Sequence, residues 1–286
     1  MTEFKPIKEG KVREIYDNGD SLIMVATDRI SAFDVILNSE IPGKGVALNS
    51  LSNFWFSYTS DLVPNHLVST SLEDFPAEFQ QNPEFYRDRT VLVKKLRMLP
   101  YEFIVRGYLF GNMWEAYRQG KAFCGRRLSG TYQQAEQLAE PIVTPSKKAA
   151  TGHDEYISIE QLQNEIGEEL TQKICALSLE LYHRCYQHAK TRGILIADTK
   201  FEFGFAPSGE LTLGDEIFTP DSSRFWDAAC YKVGESPKSY DKQFVRDWLI
   251  QNGLNGKEPA PALPDEVISK TSQIYRECLS KIVGVR

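Results

Sequence analysis

The sequence predicts an α+β chain, and three observations predict it. The first hundred residues carry strand and hairpin signals. Residues 158–193 carry a long helical period. "ADTKFEFGFAPSGELTLGDE" (197–216) reads as two strands about a tight turn. At 286 residues the chain has room for two lobes. A boundary near residue 100 separates a β-rich lobe (1–100) from a larger α+β lobe (101–286), with a cleft between them.

In chain order, "GKVREIYDNGDSLIMVATD" (10–28) predicts a hairpin turning at Asn18-Gly19, because apolar-rich runs flank a pair that tolerates positive φ. Residues 49–62 have apolar side chains at helical spacing, with Asn49 or Ser50 as the cap. Residues 88–112 read as two strands joined near Leu99-Pro100, then a helix from Asn112. Residues 119–157 are polar, contain Gly and Pro and lack sustained periodicity, so they predict a long functional loop. Ser158 and Gln161 form a capping box, Gly167 breaks the helix, and the next helix runs to Gly193 with Leu170, Ile174, Leu177 and Leu181 as its core stripe. After the 197–216 hairpin, helices are expected over 239–252 and 264–282.

Composition narrows the function. Apolar residues make up 42% and charged residues 25%, with a net charge of -6, which argues against a nucleic-acid scaffold but leaves room for a local basic pocket. The five cysteines have no Cys-x-x-Cys spacing and read as free thiols of a reducing compartment. The four histidines show no zinc-hydrolase pattern. The charged N-terminus is unlike a signal peptide, and no apolar run approaches the ~20 residues of a membrane span. A cytoplasmic protein without membrane or nucleic-acid partners is expected.

The 197–216 hairpin carries the strongest chemistry. Asp198, Lys200 and Glu202 share one strand face by the period of two. With Ser208-Gly209 as a two-residue turn, Glu202 falls opposite Asp215, their Cβ atoms ~5 Å apart. Carboxylates that close repel unless a proton or cation lies between them, and a sparse oxygen set suits Mg²⁺ held together with substrate phosphates. The plainer alternative, a solvated hairpin with surface ion pairs, fits poorly with Phe201, Phe203, Phe205, Leu211 and Leu213. Gly10, Lys11 and Arg13 offer a backbone and two same-face cations to a phosphate, although no Walker or G-x-G-x-x-G motif is present. In "TPDSSRFWD" (219–227), Asp221, Ser222 or Ser223 is placed to cap a helix whose N-terminus receives an anion; capping alone is the plainer reading.

"GKVREIYD", "ATDRISAFDV", "EFIVRGYLFGN", "TPSKKAATGHDEYIS", "ADTKFEFG" and "GDEIFTPDSSRFW" occur in this order across nearly the whole chain. Together they resemble the phosphoribosylaminoimidazole-succinocarboxamide synthases, the SAICAR synthetase family of purine biosynthesis. "SYDKQFVRDWL" (239–249) resembles that family's longer, eukaryote-like branch. The resemblance implies a kinase-like, two-lobed fold with ATP between the lobes. It implies a ligase that converts ATP, L-aspartate and carboxyaminoimidazole ribonucleotide (CAIR) to SAICAR, ADP and phosphate through an acyl phosphate, as a monomer or homodimer. Carried over by motif, the metal ligands are Glu202 and Asp215, and the catalytic residues Lys200, Asp198 and Arg224. The nucleotide positions are Gly10, Lys11, Val12, Arg13, Lys94, Glu102 and Lys148. The substrate positions are Arg106, Asn112, His153, Asp154, Asp221, Ser222 and Arg224. Asn112 stands where the family pattern has serine; its amide can still donate to a phosphate. A protein kinase is disfavoured, since neither His-Arg-Asp nor Asp-Phe-Gly occurs.

Overall fold

The computed structural model describes residues 4–149 and 153–284. The chain opens with β1 (Lys8–Glu9), β2 (Arg13–Asn18) and β3 (Ser21–Ala26). A ribbon of β4 (Arg29–Ala32) and β5 (Val35–Glu40) follows, then α1 (Lys44–Tyr58) and β6 (Leu67–Ser69). Two single-turn helices, α2 (Ala77–Gln80) and α3 (Pro83–Tyr86), lead to β7 (Thr90–Lys94), which closes an antiparallel sheet of order β1-β2-β3-β7-β6. Beyond it lie β8 (Arg97–Met98), β9 (Tyr101–Tyr108), α4 (Gly111–Arg118), β10 (Gln137–Lys147) and β11 (Glu155–Tyr156). Then come α5 (Ile159–Ile166), α6 (Glu168–Thr191), β12 (Ile194–Phe205), β13 (Leu211–Gly214), β14 (Ser223–Asp227), α7 (Gln243–Gln251) and α8 (Asp265–Val283). The second sheet has the order β11-β10-β9-β12-β13, with β8 and β14 also on β12.

The main core lies between this second sheet and helices α1 and α6. Phe103, Val105, Phe201 and Phe203 point to one side and meet Leu51, Trp55, Ile174 and Leu181. Burying each large side chain contributes about 1.5–3 kcal/mol. That burial sets the strand faces: with Phe201 and Phe203 inward, Asp198, Lys200 and Glu202 must line the other face. The capping box of Ser158 and Gln161 forms as expected, and α6 ends at Gly193.

Four local expectations are corrected. The first hairpin turns at Gly19-Asp20, since Asn18 pairs with Ser21 and only Gly19 takes positive φ. Helix α1 begins at Lys44, five residues before Asn49, because the Asp28 carboxylate accepts the N–H groups of Gly43 and Gly45 from a distance in sequence. Residues 137–147 of the expected loop form β10, whose Thr144 and Ser146 are buried against charged partners that periodicity cannot see; residues 150–152 of that loop lie outside the described residues. Ser223 opens a strand, and 219–222 is a turn closed by Thr219 and Ser222, so no helix begins there.

Candidate active site

The carboxylate hairpin has a different register from the expected one. Pro207, Ser208 and Gly209 form a three-residue loop with Gly209 at φ 85, and Ala206 N–H donates to Glu210 O at 3.0 Å. Glu202 therefore pairs with Gly214. A one-residue slip should send Asp215 to the opposite face. It does not, because Asp215 lies just past β13 in the left-handed region, φ 61, and turns its side chain back. Glu202 and Asp215 line the same cavity by a bend in the chain, where strand pairing was expected to place them.

That cavity, about 430 Å³, is walled by Gly10, Lys11, Val12 and Arg13 on one side and by Glu202 and Asp215 on the other. Arg13 lies 2.7 Å from Asp215 and 3.5 Å from Glu216. Burial acts to lower the Arg13 pKa, but these two carboxylates hold it above its usual range. Burial likewise pushes Asp215 up, yet Arg13 and Lys200 hold it well below the usual carboxylate range. Glu202 shifts the other way: burial and the Asp215 charge raise it despite Lys200 and Lys148. Lys148 Nζ bonds Glu202, and Lys200 bridges Glu102 (2.6 Å) and Glu202 (3.3 Å). Two carboxylates, one of them reluctant to ionise without a cation, are the donor set Mg²⁺ takes when phosphates complete its shell. Among the described residues no group of three or more His, Cys, Asp or Glu offers an all-protein metal cage. Lys94 stands apart: it is exposed and donates to Asn65 O at 3.3 Å.

A second cavity, about 390 Å³, adjoins the first, and the two share Glu102, Lys200, Asp221 and Lys242. Its floor is a row across three strands. Asp198 on β12 pairs with Arg106 on β9 and with Arg224 on β14, one on each flank. Directly opposed residues share a face, so both guanidinium groups converge on one carboxylate, at 2.5 Å for Arg224 and 3.6 Å for Arg106. Arg106 Nε donates to Thr144 at 2.9 Å, and Arg224 lies over the Phe110 ring. Gly111 gives that guanidinium room: φ is 59, and a Cβ there would stand 2.8 Å from it. Asn112 donates to the Tyr156 hydroxyl at 3.2 Å, and Ser222 lines the wall. Asp221 is buried, bound by Lys44 at 2.9 Å and Tyr275 at 2.7 Å. His153 meets Asp34 at 2.6 Å, Lys11 meets Asp34 at 2.5 Å, and Asp154 accepts from Ala149 N–H at 3.0 Å. His153 lines neither cavity, whereas Asp154 lines the first and Asp34 the second.

Two residues of this cavity were missed by the sequence reading. Lys242, at the N-cap of α7, and Arg246, in its first turn, line it, and no side-chain hydrogen bond or ion pair among the described residues engages either. The available signal was Lys-x-x-x-Arg in "SYDKQFVRDWL": like charges four apart on a helix repel, which a surface helix has no reason to keep.

A two-sheet α+β fold holding one cavity with paired carboxylates and another rimmed by cations defines an enzyme that handles anionic, phosphate-bearing substrates. The SAICAR synthetase family model matches residues 6–263, and the chain belongs to that family. It is 50% identical to the phosphoribosylaminoimidazole-succinocarboxamide synthase of Chromobacterium violaceum, over 99% of this chain and 100% of that protein. Its fold matches the structure of SAICAR-synthase from Saccharomyces cerevisiae complexed with SAICAR at TM-score 0.91 and 42% identity, over 100% and 97% of the two chains. A SAICAR synthetase in complex with ADP shares the fold at TM-score 0.72 and 24% identity, with 98% of each chain covered. No helix among the described residues is long and apolar enough to cross a membrane.

Proposed function

We propose that the two cavities are the two halves of one ligase site, in which ATP activates the carboxylate of CAIR and L-aspartate displaces phosphate to give SAICAR. The chain's membership in the family supports the reaction, as do relatives named for SAICAR synthesis and structural neighbours holding SAICAR or ADP. One observation carries the assignment of halves: the cavities meet at Lys200 and Lys242, with the carboxylate pair on one side and the arginine row on the other.

Residues 1–100 contribute the phosphate-facing wall, Gly10–Arg13, and residues 101–286 contribute the metal and substrate groups. Glu202 and Asp215 would hold a Mg²⁺ ion together with the ATP phosphates, and such an ion would supply charge neutralisation for phosphoryl transfer. Lys11, Arg13 and Lys148 are cations already in place beside those phosphates. Lys148, now paired with Glu202, would be free to bind phosphate if a metal ion took its place there. Arg224 and Arg106 hold the CAIR phosphate or its neighbouring carboxylate, and Asp198 keeps both guanidinium groups aimed at it. Asn112 and Ser222 add neutral donors. Lys200 stands between the halves, beside the carboxylate that accepts phosphate. The aspartate amine then attacks the acyl phosphate carbon. Arg246, with no ion pair among the described residues, faces the cavity as a partner for an aspartate carboxylate.

Measuring ADP release while omitting each substrate in turn tests this reading. Sustained release should require ATP, CAIR and L-aspartate together. Full-rate release without CAIR would replace the ligase by a phosphatase or kinase of another substrate.

A further inference from the structure

Aspartate reaches the site as an ammonium ion, and an ammonium nitrogen has no electron pair with which to attack. A proton must leave first, and four carboxylates around the junction are already bound by donors. Asp198 is held by two arginines, Glu102 by Lys200 and Ser146, Asp221 by Lys44 and Tyr275, and Asp34 by Lys11 and His153. Each is already engaged by at least one donor. Lys200, the other lysine shared by both cavities, is bridged to two glutamates. Lys242 is the junction cation with no such partner among the described residues.

We propose that Lys242, as a neutral amine, takes the proton from the α-ammonium of L-aspartate and so frees the nucleophile at the junction of the cavities. The inference rests on the acyl phosphate reading above. Four other charged groups act on this side chain. Arg246 lies one turn on along its own helix, Lys44 at the start of α1, Asp221 on the 219–222 turn and Glu216 beyond β13. Burial lowers the Lys242 pKa most. Asp221 opposes that, and Arg246 and Lys44 add to the lowering. Glu216 opposes it as well, and the Asp221 carboxylate is also bound by Lys44 and Tyr275. A buried lysine whose pKa is lowered gives up its proton more readily than an exposed one and can act as a base.

The step balances without another reactant. The aspartate R–NH₃⁺ and Lys242–NH₂ become R–NH₂ and Lys242–NH₃⁺. The nitrogen lone pair forms the C–N bond as the carbon–oxygen bond to phosphate breaks, and its electrons leave with the phosphate. The second nitrogen proton is lost as the amide forms and departs with phosphate.

The test compares two nucleophiles in the full-length enzyme. Hydroxylamine is neutral at pH 7 and needs no base, so with ATP and CAIR it should trap the acyl phosphate as a hydroxamate. Lys242→Arg keeps a positive charge but gives up its proton far less readily, and Lys242→Gln removes both charge and base. Both variants should lose about 100-fold or more in kcat with aspartate while keeping hydroxamate formation within about threefold of the parent. The acid limb of the kcat/KM profile for aspartate should vanish in both. Near-parental aspartate turnover in Lys242→Arg would overturn the proposal in favour of a purely electrostatic role. Parallel loss with both nucleophiles would overturn it in favour of a role in phosphoryl transfer or folding. Absence of hydroxamate in the parent enzyme would overturn the acyl phosphate reading instead, and this inference with it.

Discussion

The two cavities use the same residue types in opposite ways. On the proposed nucleotide side two carboxylates face the cavity, and Arg13, Lys148 and Lys200 pair with them. On the proposed substrate side the cations face the cavity, and Asp198 pairs with Arg106 and Arg224. These paired charges are thus compensated before any substrate arrives, which avoids the several kcal/mol that an isolated buried ion would cost. The difference lies in what remains spare. The nucleotide side keeps two like charges facing one space, whereas Lys242 and Arg246 on the substrate side make no side-chain hydrogen bond or ion pair among the described residues. The first arrangement calls for a metal ion, and in the second Arg246 calls for an anion.

The contrast breaks most visibly at Glu202 and Asp215. Glu202→Gln and Asp215→Asn should each reduce turnover by about 10²–10³-fold, and the double variant should be little worse than either, since both act on one metal. Their stabilities should diverge. The Asp215 pKa is depressed in the fold, so its contribution exists above the unfolded pKa near ~3.9 and is lost as pH falls. Asp215→Asn should cost about 1–3 kcal/mol at pH 7, with a smaller cost in acid. The Glu202 pKa is raised, so its ionisation is a penalty that grows as pH rises. Glu202→Gln should leave the metal-free Tm unchanged or higher at pH 7. Thermal melts across pH decide this: a lower Tm in both variants would mean that the two carboxylates are equivalent.

Arg224→Ala tests the other half. It removes one guanidinium of the Asp198 row and should weaken CAIR binding by about 1.5–3 kcal/mol, with ATP affinity held. Calorimetry showing the loss on ATP would erase the division between the cavities.

The smallest effect is expected behind the substrate cavity. Asp241 is buried and accepts N–H bonds from Phe225 and Gln243; burial pushes its pKa up to about 6, against those bonds and Arg224. A raised carboxylate pKa means stability that is full below the unfolded value near ~3.9 and lost as pH rises through about 6. The Tm advantage of the parent over Asp241→Asn should therefore shrink by about 1–2 kcal/mol equivalent between pH 4 and 6.5 and then level off. A constant difference across that range would remove Asp241 as a titrating group.

Much of this was legible in residue order. The α5–α6 pair follows from a capping box, a glycine break and a 3.6-residue apolar period, all short-range features. The alternation of Phe201 and Phe203 with Asp198, Lys200 and Glu202 reveals a charged strand face, since pleating obeys a period of two whatever surrounds it. That both hairpin carboxylates line a cavity was readable too, because apolar flanks deny them a solvated surface.

Tertiary structure decided the rest, because the deciding partners are distant in sequence or the choice is a single dihedral. Asp215 meets Glu202 through one left-handed residue, which corrects the slip that a three-residue loop introduced; neither choice is written in an alternation pattern. Helix α1 starts where Asp28 caps it from 15 residues away, and β10 is a strand because Thr144 and Ser146 satisfy Arg106 and Glu102 on a neighbouring strand. Lys242 and Arg246 enter the site only because Val245 and Leu249 on the same helix pack against Ile30, Leu37 and Ile41. Local periodicity determines which face of an element is charged. Which charges finally meet depends on the long-range burial of apolar faces, where the free energy of packing outweighs any local preference.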